Sequence, residues 1–383
     1  MTLPGIPFRV QTDQALLDDL QQRLAQARWP QTPSGADWAQ GTRLDYLQRL
    51  VGHWRTDFDW RVWEARINRF EQRLVDIEGQ RIHVLVEPGS GSDPLPLVLT
   101  HGWPGSFLEF IELIEPLAHP ERFGGRVEDA FTVILPSLPG YGFSPAPSEP
   151  LGPRAIARLW HLLVTEHFGF DRYAAQGGDW GGVITGLLAR LHPQSLVGVH
   201  LNMLGNLPVL GPDSGLTQEE GAWLARLGAM QQEEGAYQAI QGTKPQSLAY
   251  GLTDSPVGLA GWIVEKFQAW TLGRSSAEPP FTMDWLLANL MLYWINGING
   301  ANWLYYMART SNETRIAAAE RATVPSGFSL FPNDLIPPPP RSFVERIFDV
   351  RHYRVFERGG HFPALEQGEL LLDEIRAFFR SYR

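Results

Sequence analysis

The glycine-rich segment AAQGGDWGG, residues 174–182, has the residue types of a tight turn that presents a nucleophile between a strand and a helix. An apolar, strand-like stretch precedes it, an apolar, helix-like stretch follows, and Asp179 stands at the centre of Gly-x-Asp-x-Gly. Enzymes that transfer acyl groups place a serine there, on a turn so sharp that only small neighbours fit. A carboxylate attacks saturated carbon instead, and the carbonyl of the resulting ester belongs to the protein. The segment therefore predicts displacement at an sp³ carbon with Asp179 as the nucleophile.

Two C-terminal motifs provide partners for this nucleophile. Chains with such a turn carry the acid and then the histidine further along the sequence. Asp334 in FPNDLIPPPP and His361 in RGGHFPALE each follow a predicted strand and stand in that order. Asp349 is the rival acid, and His352 is a rival base that lies within a strand, where a packed histidine is the simpler interpretation. We expect His361 to activate water against the ester, with Asp334 orienting its ring.

The loop HGWPG, residues 101–105, follows the first apolar strand. Loops at this position contribute one backbone N–H to an oxyanion hole, and the residue after the nucleophile contributes the other. The sequence therefore predicts that the backbone N–H groups of Trp103 and Trp180 hold the oxyanion. The alternative is a tight glycine turn with a buried tryptophan.

A carboxylate nucleophile leaves two main substrate classes, epoxides and alkyl halides. An opening epoxide needs a proton or a strong hydrogen bond, which a tyrosine hydroxyl supplies. A halide needs only weak donors such as an indole N–H. Residues 205–315 are rich in both tyrosine and tryptophan, so these residue types by themselves leave both classes open.

The order of the elements indicates how these residues are positioned. Residues 1–75 carry narrow apolar stripes at helical spacing and are predicted to wrap the rest of the chain. Residues 76–204 contain a hairpin signature and then continuous apolar strands that alternate with helices, which is typical of a mostly parallel sheet covered on both faces. Residues 205–315 are predicted to be a helical lid, and residues 316–383 return to the sheet. The expected fold is an α/β-hydrolase core with a helical lid and an N-terminal meander.

Composition narrows the classes of partner. The 383 residues include 32 basic and 42 acidic side chains, for a net charge of −10, which disfavours nucleic acid or an anionic membrane surface as partners. The absence of cysteine rules out disulfides and thiolate chemistry. We see no signal peptide and no run of about 18 apolar residues, so the expectation is a soluble, cytoplasmic protein. No histidine pair with metal-binding spacing such as H-E-x-x-H is present, so we expect neither a metal nor an organic cofactor.

At this point the sequence resembles epoxide hydrolases of the microsomal type, including their soluble microbial relatives. The motifs that carry the resemblance are Arg28-Trp29-Pro30, HGWPGSFLEF, GGDWGG, TKPQSLAYGLTDSPVGLAGWIVEKF, VPSGFSLFPNDL and RGGHFPALE, which together extend over nearly the whole chain. The resemblance implies two ring-opening tyrosines. They correspond to Tyr237 in EGAYQAIQGTKP and to Tyr306, 13 residues after Tyr293 in YWINGINGANWLYY, with Tyr305 as the adjacent alternative.

The expected activity is therefore the hydrolysis of a small apolar or aryl epoxide to a vicinal diol through an aspartyl ester, with water as the second substrate. A homodimer is suggested by the resemblance alone. One alternative is a haloalkane dehalogenase with the same Asp179, in which Trp180 and another tryptophan hold the halide. The other is a catalytically silent protein that binds a small apolar ligand under the lid.

Overall fold

A computed structural model of the protein describes residues 3–383. Its strands are β1 (Ile6–Pro7), β2 (Glu71–Ile77), β3 (Gln80–Glu87), β4 (Leu95–Thr100), β5 (Phe131–Pro136), β6 (Tyr173–Gly177), β7 (Leu196–Leu201), β8 (Leu207–Pro208), β9 (Arg315–Ile316), β10 (Pro325–Leu330) and β11 (Asp349–Val355). Its α-helices are α1 (Gln14–Ala25), α2 (Leu44–Thr56), α3 (Trp60–Ile67), α4 (Ile114–Ala118), α5 (Pro153–Leu162), α6 (Asp179–Leu191), α7 (Gln218–Glu234), α8 (Ala236–Thr243), α9 (Pro245–Asp254), α10 (Pro256–Ala269), α11 (Met283–Asn296), α12 (Asn299–Ser311), α13 (Arg341–Glu345), α14 (Pro363–Glu366) and α15 (Gly368–Phe379).

The central sheet has the strand order β1-β2-β3-β5-β4-β6-β7-β10-β11. The pairings from β5 through β11 are parallel, whereas β1, β2, β3 and β5 pair antiparallel. Strands β4 to β7 are almost entirely buried, as expected for parallel strands with helices on both faces. The predicted mostly parallel sheet is confirmed. The carboxyl ends of β4, β6, β7, β10 and β11 meet at one edge, where α/β sheets place their ligands.

The hairpin predicted around Glu78 and Gly79 joins β2 to β3. Ile77 pairs with Gln80, so the connection has two residues. Both have positive φ, 50° at Glu78 and 83° at Gly79, as the preferred turn of a two-residue hairpin requires.

The N-terminal helices lie mainly against the lid. The predicted stripes are buried, including Leu20 and Leu24 on α1 and Leu50 and Trp54 on α2. Helix α1 contacts α10, α2 contacts α10 and α11, and α3 contacts α11. The Arg23 guanidinium also donates to the backbone oxygen of Asp254 at 2.8 Å. The N-terminal helices therefore hold the lid helices in place through these contacts.

The lid consists of α7 to α12, inserted between the sheet strands β7 and β10, with α12 packed on α8 and α9. Helices α11 and α12 are separated by a break at Gly297, whose φ is 82°. Within residues 3–383, no helix combines the length and the apolarity needed to cross a bilayer.

Candidate active site

The turn around Asp179 is held sharp by glycines. Strand β6 ends at Gly177, and α6 begins at Asp179, whose φ of 50° is rare for a residue with a side chain. A Cβ at Gly177 would overlap the carbonyl oxygen of Gly181, and a Cβ at Gly181 would overlap that of Thr100. Only glycines let the chain reverse here, which leaves the Asp179 carboxylate at the positive end of α6.

The structure brings together the three residues that the sequence placed in nucleophile, acid and base order. Nδ1 of His361 lies 2.7 Å from Oδ1 of Asp334, and its Nε2 lies 3.3 Å from Oδ2 of Asp179. Asp334 follows β10 and His361 follows β11, and a β-bridge between Asn333 and Gly360 holds the two loops side by side. The arrangement is a carboxylate–histidine–carboxylate relay.

The relay favours a charged imidazole. Burial by itself lowers the pKa of His361, but the carboxylates of Asp334 and Asp179 outweigh it and raise the pKa well above its ordinary value. The two carboxyl groups therefore favour the protonated form of His361 in the resting protein.

The rival residues lie elsewhere. Nε2 of His352 is 2.7 Å from a carboxylate oxygen of Glu374, and Asp349 accepts a hydrogen bond from Arg351 at 3.0 Å. Neither contributes to the relay.

Of the two predicted oxyanion donors, the Trp103 backbone N–H donates to Oδ1 of Asp179 at 2.8 Å. A Cβ at Gly102 would overlap that same carboxylate, so the glycine of HGWPG makes the approach possible. Trp180 opens the first turn of α6 directly after the nucleophile, as predicted. The role of its backbone N–H stays a prediction.

Two tyrosines of the lid, Tyr237 on α8 and Tyr305 on α12, lie close to the nucleophile. The Tyr237 ring stacks on Trp103 with a centroid separation of 4.9 Å, and the Tyr305 ring lies edge-on to Trp180 at 4.8 Å. Their own ring centroids are 5.8 Å apart. Burial and the nearby Asp179 carboxylate raise the pKa of Tyr237 well above 10, although a hydrogen bond with the Tyr305 side chain opposes the shift. Burial, Tyr237 and Asp179 do the same to the pKa of Tyr305.

The structure places Tyr305 toward the site and Tyr306 away from it, and the ring-opening role of either residue stays a prediction. Tyr306 is only partly buried and packs against Trp303, with ring centroids 5.2 Å apart, whereas Tyr305 is 4% exposed. Adjacent helical residues point about 100° apart, so only one of the two can face the site. The count of 13 residues from Tyr293 to Tyr306 crosses the break at Gly297. Because the two helices are not continuous, this count does not determine which face of α12 a residue occupies.

Two residues near the site were missed from sequence. Trp270, at the end of α10, lies edge-on to His361 with a centroid distance of 5.0 Å, and its carbonyl oxygen accepts the His361 backbone N–H at 2.8 Å. Glu109 belongs to the quoted motif HGWPGSFLEF, but no spacing rule marked it as different from a surface glutamate. Nothing in the sequence relates either residue to the site, because Trp270 contacts His361, and Glu109 lines a cavity with it, only across the fold.

A cleft of ≈ 180 Å³ opens onto Asp179. Trp180, Tyr305 and Ile336 line it, together with the apolar side chains of Val183, Met203, Leu204 and Leu207. A wider opening of ≈ 310 Å³ shares Trp180, Gln231, Gln238, Tyr305 and Thr314 with it. Among the described residues, no group of three or more histidine, aspartate and glutamate side chains is arranged to hold a metal ion.

The fold and the site together define an α/β-hydrolase that carries aspartate where serine hydrolases carry their nucleophile. In agreement, residues 96–358 match the family described as alpha/beta hydrolase fold. Residues 6–110 match the family described as epoxide hydrolase N terminus.

Similar proteins identify the family within that class. A Stigmatella aurantiaca protein whose name places it among the epoxide hydrolases is 40% identical over 378 residues, which cover 98% of this chain and 85% of that protein. Epoxide hydrolase 1 of Sus scrofa is 35% identical over 97% of this chain and 88% of its own length. The structure of Aspergillus niger epoxide hydrolase superposes with a TM-score of 0.85 at 30% identity, covering 100% of this chain and 97% of that one. The chain belongs to the epoxide hydrolase family, as the sequence motifs predicted.

Proposed function

We propose that the protein hydrolyses epoxides to vicinal diols through a covalent ester on Asp179. The observation that carries the proposal is the position of Tyr237 and Tyr305, two buried phenols close enough to Asp179 for its charge to raise the pKa of each. Because both stay protonated at neutral pH, they serve as donors to an epoxide oxygen placed between them and the carboxylate.

In the first step, a carboxylate oxygen of Asp179 attacks one ring carbon. The bond from that carbon to the ring oxygen breaks, and the oxygen takes a proton from the tyrosine pair. The proton that the tyrosines lose is replaced from the His361 imidazolium. The step therefore converts an anion and a cation into a neutral ester and a neutral imidazole, together with a free hydroxyl group on the substrate.

In the second step, water attacks Cγ of the Asp179 ester and gives a proton to Nε2 of His361. The Trp103 N–H, already directed at Oδ1, stabilises the oxyanion, and Trp180 is the second donor that we assign. The bond between Cγ and the alcohol oxygen then breaks, and the diol leaves with the proton from His361. The Asp179 acid passes its proton back to His361, so the resting charges are restored.

The favoured substrate is a small apolar or aryl epoxide. What supports this is the apolar part of the cleft lining, which consists of Val183, Met203, Leu204, Leu207 and Ile336 with the aromatic side chains of Trp180 and Tyr305; Gln231, Gln238, Thr314 and Arg315 line the polar part. The apolar part gains free energy from burying an apolar substituent, and it directs the ring oxygen toward the tyrosine hydroxyls.

Haloalkane dehalogenation is the second candidate, since one observation favours it. The indole Nε1 of Trp103 is buried without a hydrogen-bond partner among the described residues, and indole N–H groups suit a halide. A dehalogenase would release halide from alkyl bromides and would retain its activity when Tyr237 and Tyr305 are both changed to phenylalanine. We rank it lower because it leaves the tyrosine pair without a role.

The deciding experiment is a single turnover of styrene oxide in ¹⁸O-water with the enzyme in excess. The ester mechanism transfers the Asp179 oxygen to the product, so the diol is unlabelled and the label appears in the peptide that contains Asp179. Labelled diol with an unlabelled peptide would mean that water opens the ring directly and would contradict the proposal.

A further inference from the structure

A second, much smaller cavity lies against Asp179. Its volume is ≈ 10 Å³, about the space that the centre of one water molecule needs. Its lining includes Glu109, Asn202 and His361, and among the residues that the structure describes only Asp179 also lines the ≈ 180 Å³ cleft. The nucleophile therefore separates a space that fits a substrate from a space that fits one water molecule.

Glu109 is the titratable residue in this cavity that the mechanism has not used. It lies on the 3₁₀ turn Phe107–Phe110, and its carboxyl group is seated directly over Gly105, where a Cβ would overlap Oε1. The Ser106 backbone amide lies beside the carboxyl group and opposes the rise in its pKa. The absence of a side chain at Gly105 therefore leaves room for the Glu109 carboxyl group.

The lid fixes the loop that carries Glu109. The hydroxyl of Tyr293 donates to the Gly105 carbonyl oxygen at 2.7 Å, and the Asn289 amide donates to the Pro104 carbonyl oxygen at 2.8 Å. Ser106 completes the contact by donating its hydroxyl to Asn289 at 2.8 Å. Glu109 is therefore held by α11 as well as by its own turn.

Helix capping does not account for Glu109 by itself. Ser106 and Glu109 have the spacing of a capping box, and the Leu108 N–H donates to the Ser106 hydroxyl at 3.3 Å. A capping glutamate ordinarily stays ionised in water. Here burial, reinforced by Asp179 and opposed by His361, raises the pKa of Glu109 to about 8. The Glu109 carboxyl group is thus shielded from water and lies close enough to Asp179 and His361 for their charges to shift its pKa.

The attacking water needs two acceptors as well as a target. Its lone pair must point at Cγ of Asp179, and one O–H must point at Nε2 of His361, so the second O–H requires another acceptor. The Glu109 carboxyl group lines the same cavity and provides oxygen atoms for this role. Ester formation neutralises Asp179, which lowers the pKa of Glu109, and also neutralises His361, which raises it. The role assigned to Glu109 does not depend on its charge, because a protonated carboxyl group keeps a carbonyl oxygen that accepts.

We propose that this cavity holds the hydrolytic water and that Glu109 orients it by accepting its second O–H, an assignment that rests on the ester mechanism proposed above. The balance of the step is unchanged, since the water proton still passes to His361 and the water oxygen still enters the Asp179 carboxyl group.

The test is Glu109→Gln in single turnovers that resolve the two steps. Glutamine keeps the size of the side chain but replaces one carboxyl oxygen with an NH₂ donor, so only one of its two amide orientations presents an acceptor to the water. We expect ester formation to keep its wild-type rate and ester hydrolysis to fall about 10²-fold. The Asp179 peptide should then accumulate as the substrate adduct in quenched-flow mass spectrometry.

Glu112→Gln is the matched control, because Glu112 is an exposed glutamate on the same segment that pairs with Arg66. Equal hydrolysis rates in the two variants, or an equal slowing of both steps in Glu109→Gln, would overturn the role of Glu109. Glu109→Asp, which withdraws the carboxyl group by one methylene, should show the same selective loss if Glu109→Gln does not fold. If no ester on Asp179 is detected in either the wild type or His361→Gln, the proposed ester mechanism itself is rejected.

Discussion

The groups that surround the Asp179 carboxylate, the Trp103 N–H and His361, act at different steps of the proposed reaction. The Trp103 N–H holds one carboxylate oxygen in the resting state, and the His361 cation lies beside the other. When the ester forms, the negative charge disappears and the imidazole loses the partner that stabilised its proton. A residue whose pKa is raised by the nucleophile thus becomes a base once the nucleophile has reacted.

Tyr305 and Tyr306 offer a residue-scale prediction, since they differ in helical phase but not in chemistry. Tyr305→Phe removes a donor close to Asp179, so kcat/KM for styrene oxide should fall about 10²-fold, through slower ester formation. Tyr306→Phe should leave kcat/KM at its wild-type value, because that ring packs on Trp303. Steady-state and single-turnover rates check both. The opposite result would restore Tyr306 as the donor.

At the scale of elements, the lid must be anchored to the core at both ends of the insertion. Helix α7 begins with a capping box formed by Thr217 and Glu220. The Glu220 carboxylate also accepts hydrogen bonds from Arg346 at 2.7 and 3.0 Å, and from the Ser342 hydroxyl at 3.1 Å. One buried glutamate therefore caps the first lid helix and fastens it to the α13 region of the core.

Glu220→Ala should lower the free energy of unfolding by about 3 kcal/mol, because it removes the cap and leaves Arg346 with backbone oxygens but no carboxylate to balance its charge. Glu219→Ala, an exposed neighbour on the same turn, is the control and should have little effect. Chemical denaturation at neutral pH measures both. Equal small losses would show that the anchor contributes little.

The contact between Glu220 and Arg346 also makes the free energy of unfolding depend on pH. Hydrogen bonds from Arg346 lower the pKa of Glu220 from 4.5 to about 2. A lowered pKa stabilises the fold above the ordinary value, so the contribution is complete above about pH 4.5 and is lost as the pH falls toward 2. The difference in stability between wild type and Glu220→Ala should shrink over that range.

At the scale of the whole molecule, one continuous apolar core joins the N-terminal helices, the lid and the sheet. Trp54 on α2 is 1% exposed and lies in this core, where α2 contacts α10 and α11. The lid is thereby held between the catalytic sheet and the N-terminal helices. Its aromatic residues are part of the folded core rather than a separate cover.

Trp54→Ala should therefore lower the free energy of unfolding by about 3–5 kcal/mol. Thermal transitions followed by far-UV circular dichroism, tryptophan fluorescence and activity should all shift together. Trp303→Ala, at a partly exposed position on the lid, should shift them by much less. Activity lost well below the other two transitions would show that the lid unfolds by itself.

The sequence determined the features that depend on local pattern and chain order. Alternating and continuous apolar runs predicted the hairpin and the parallel strands, because side-chain period and burial follow directly from backbone geometry. Glycines around Asp179 predicted the sharp turn, since only glycine fits the close backbone contacts there. The order of Asp179, Asp334 and His361 picked out the residues that the loops after β6, β10 and β11 bring within hydrogen-bonding distance.

Tertiary structure decided the features that depend on phase and on contacts between distant segments. Tyr305 faces the site instead of Tyr306 because the break at Gly297 resets the rotation of α12, and no residue count across a break records that rotation. Glu109 and His361, 252 positions apart in the chain, line one cavity because the 101–110 loop and the loop after β11 end at the same edge of the sheet. The division between a substrate cleft and a water-sized cavity arises from packing, in which displacements smaller than one methyl group decide what fits.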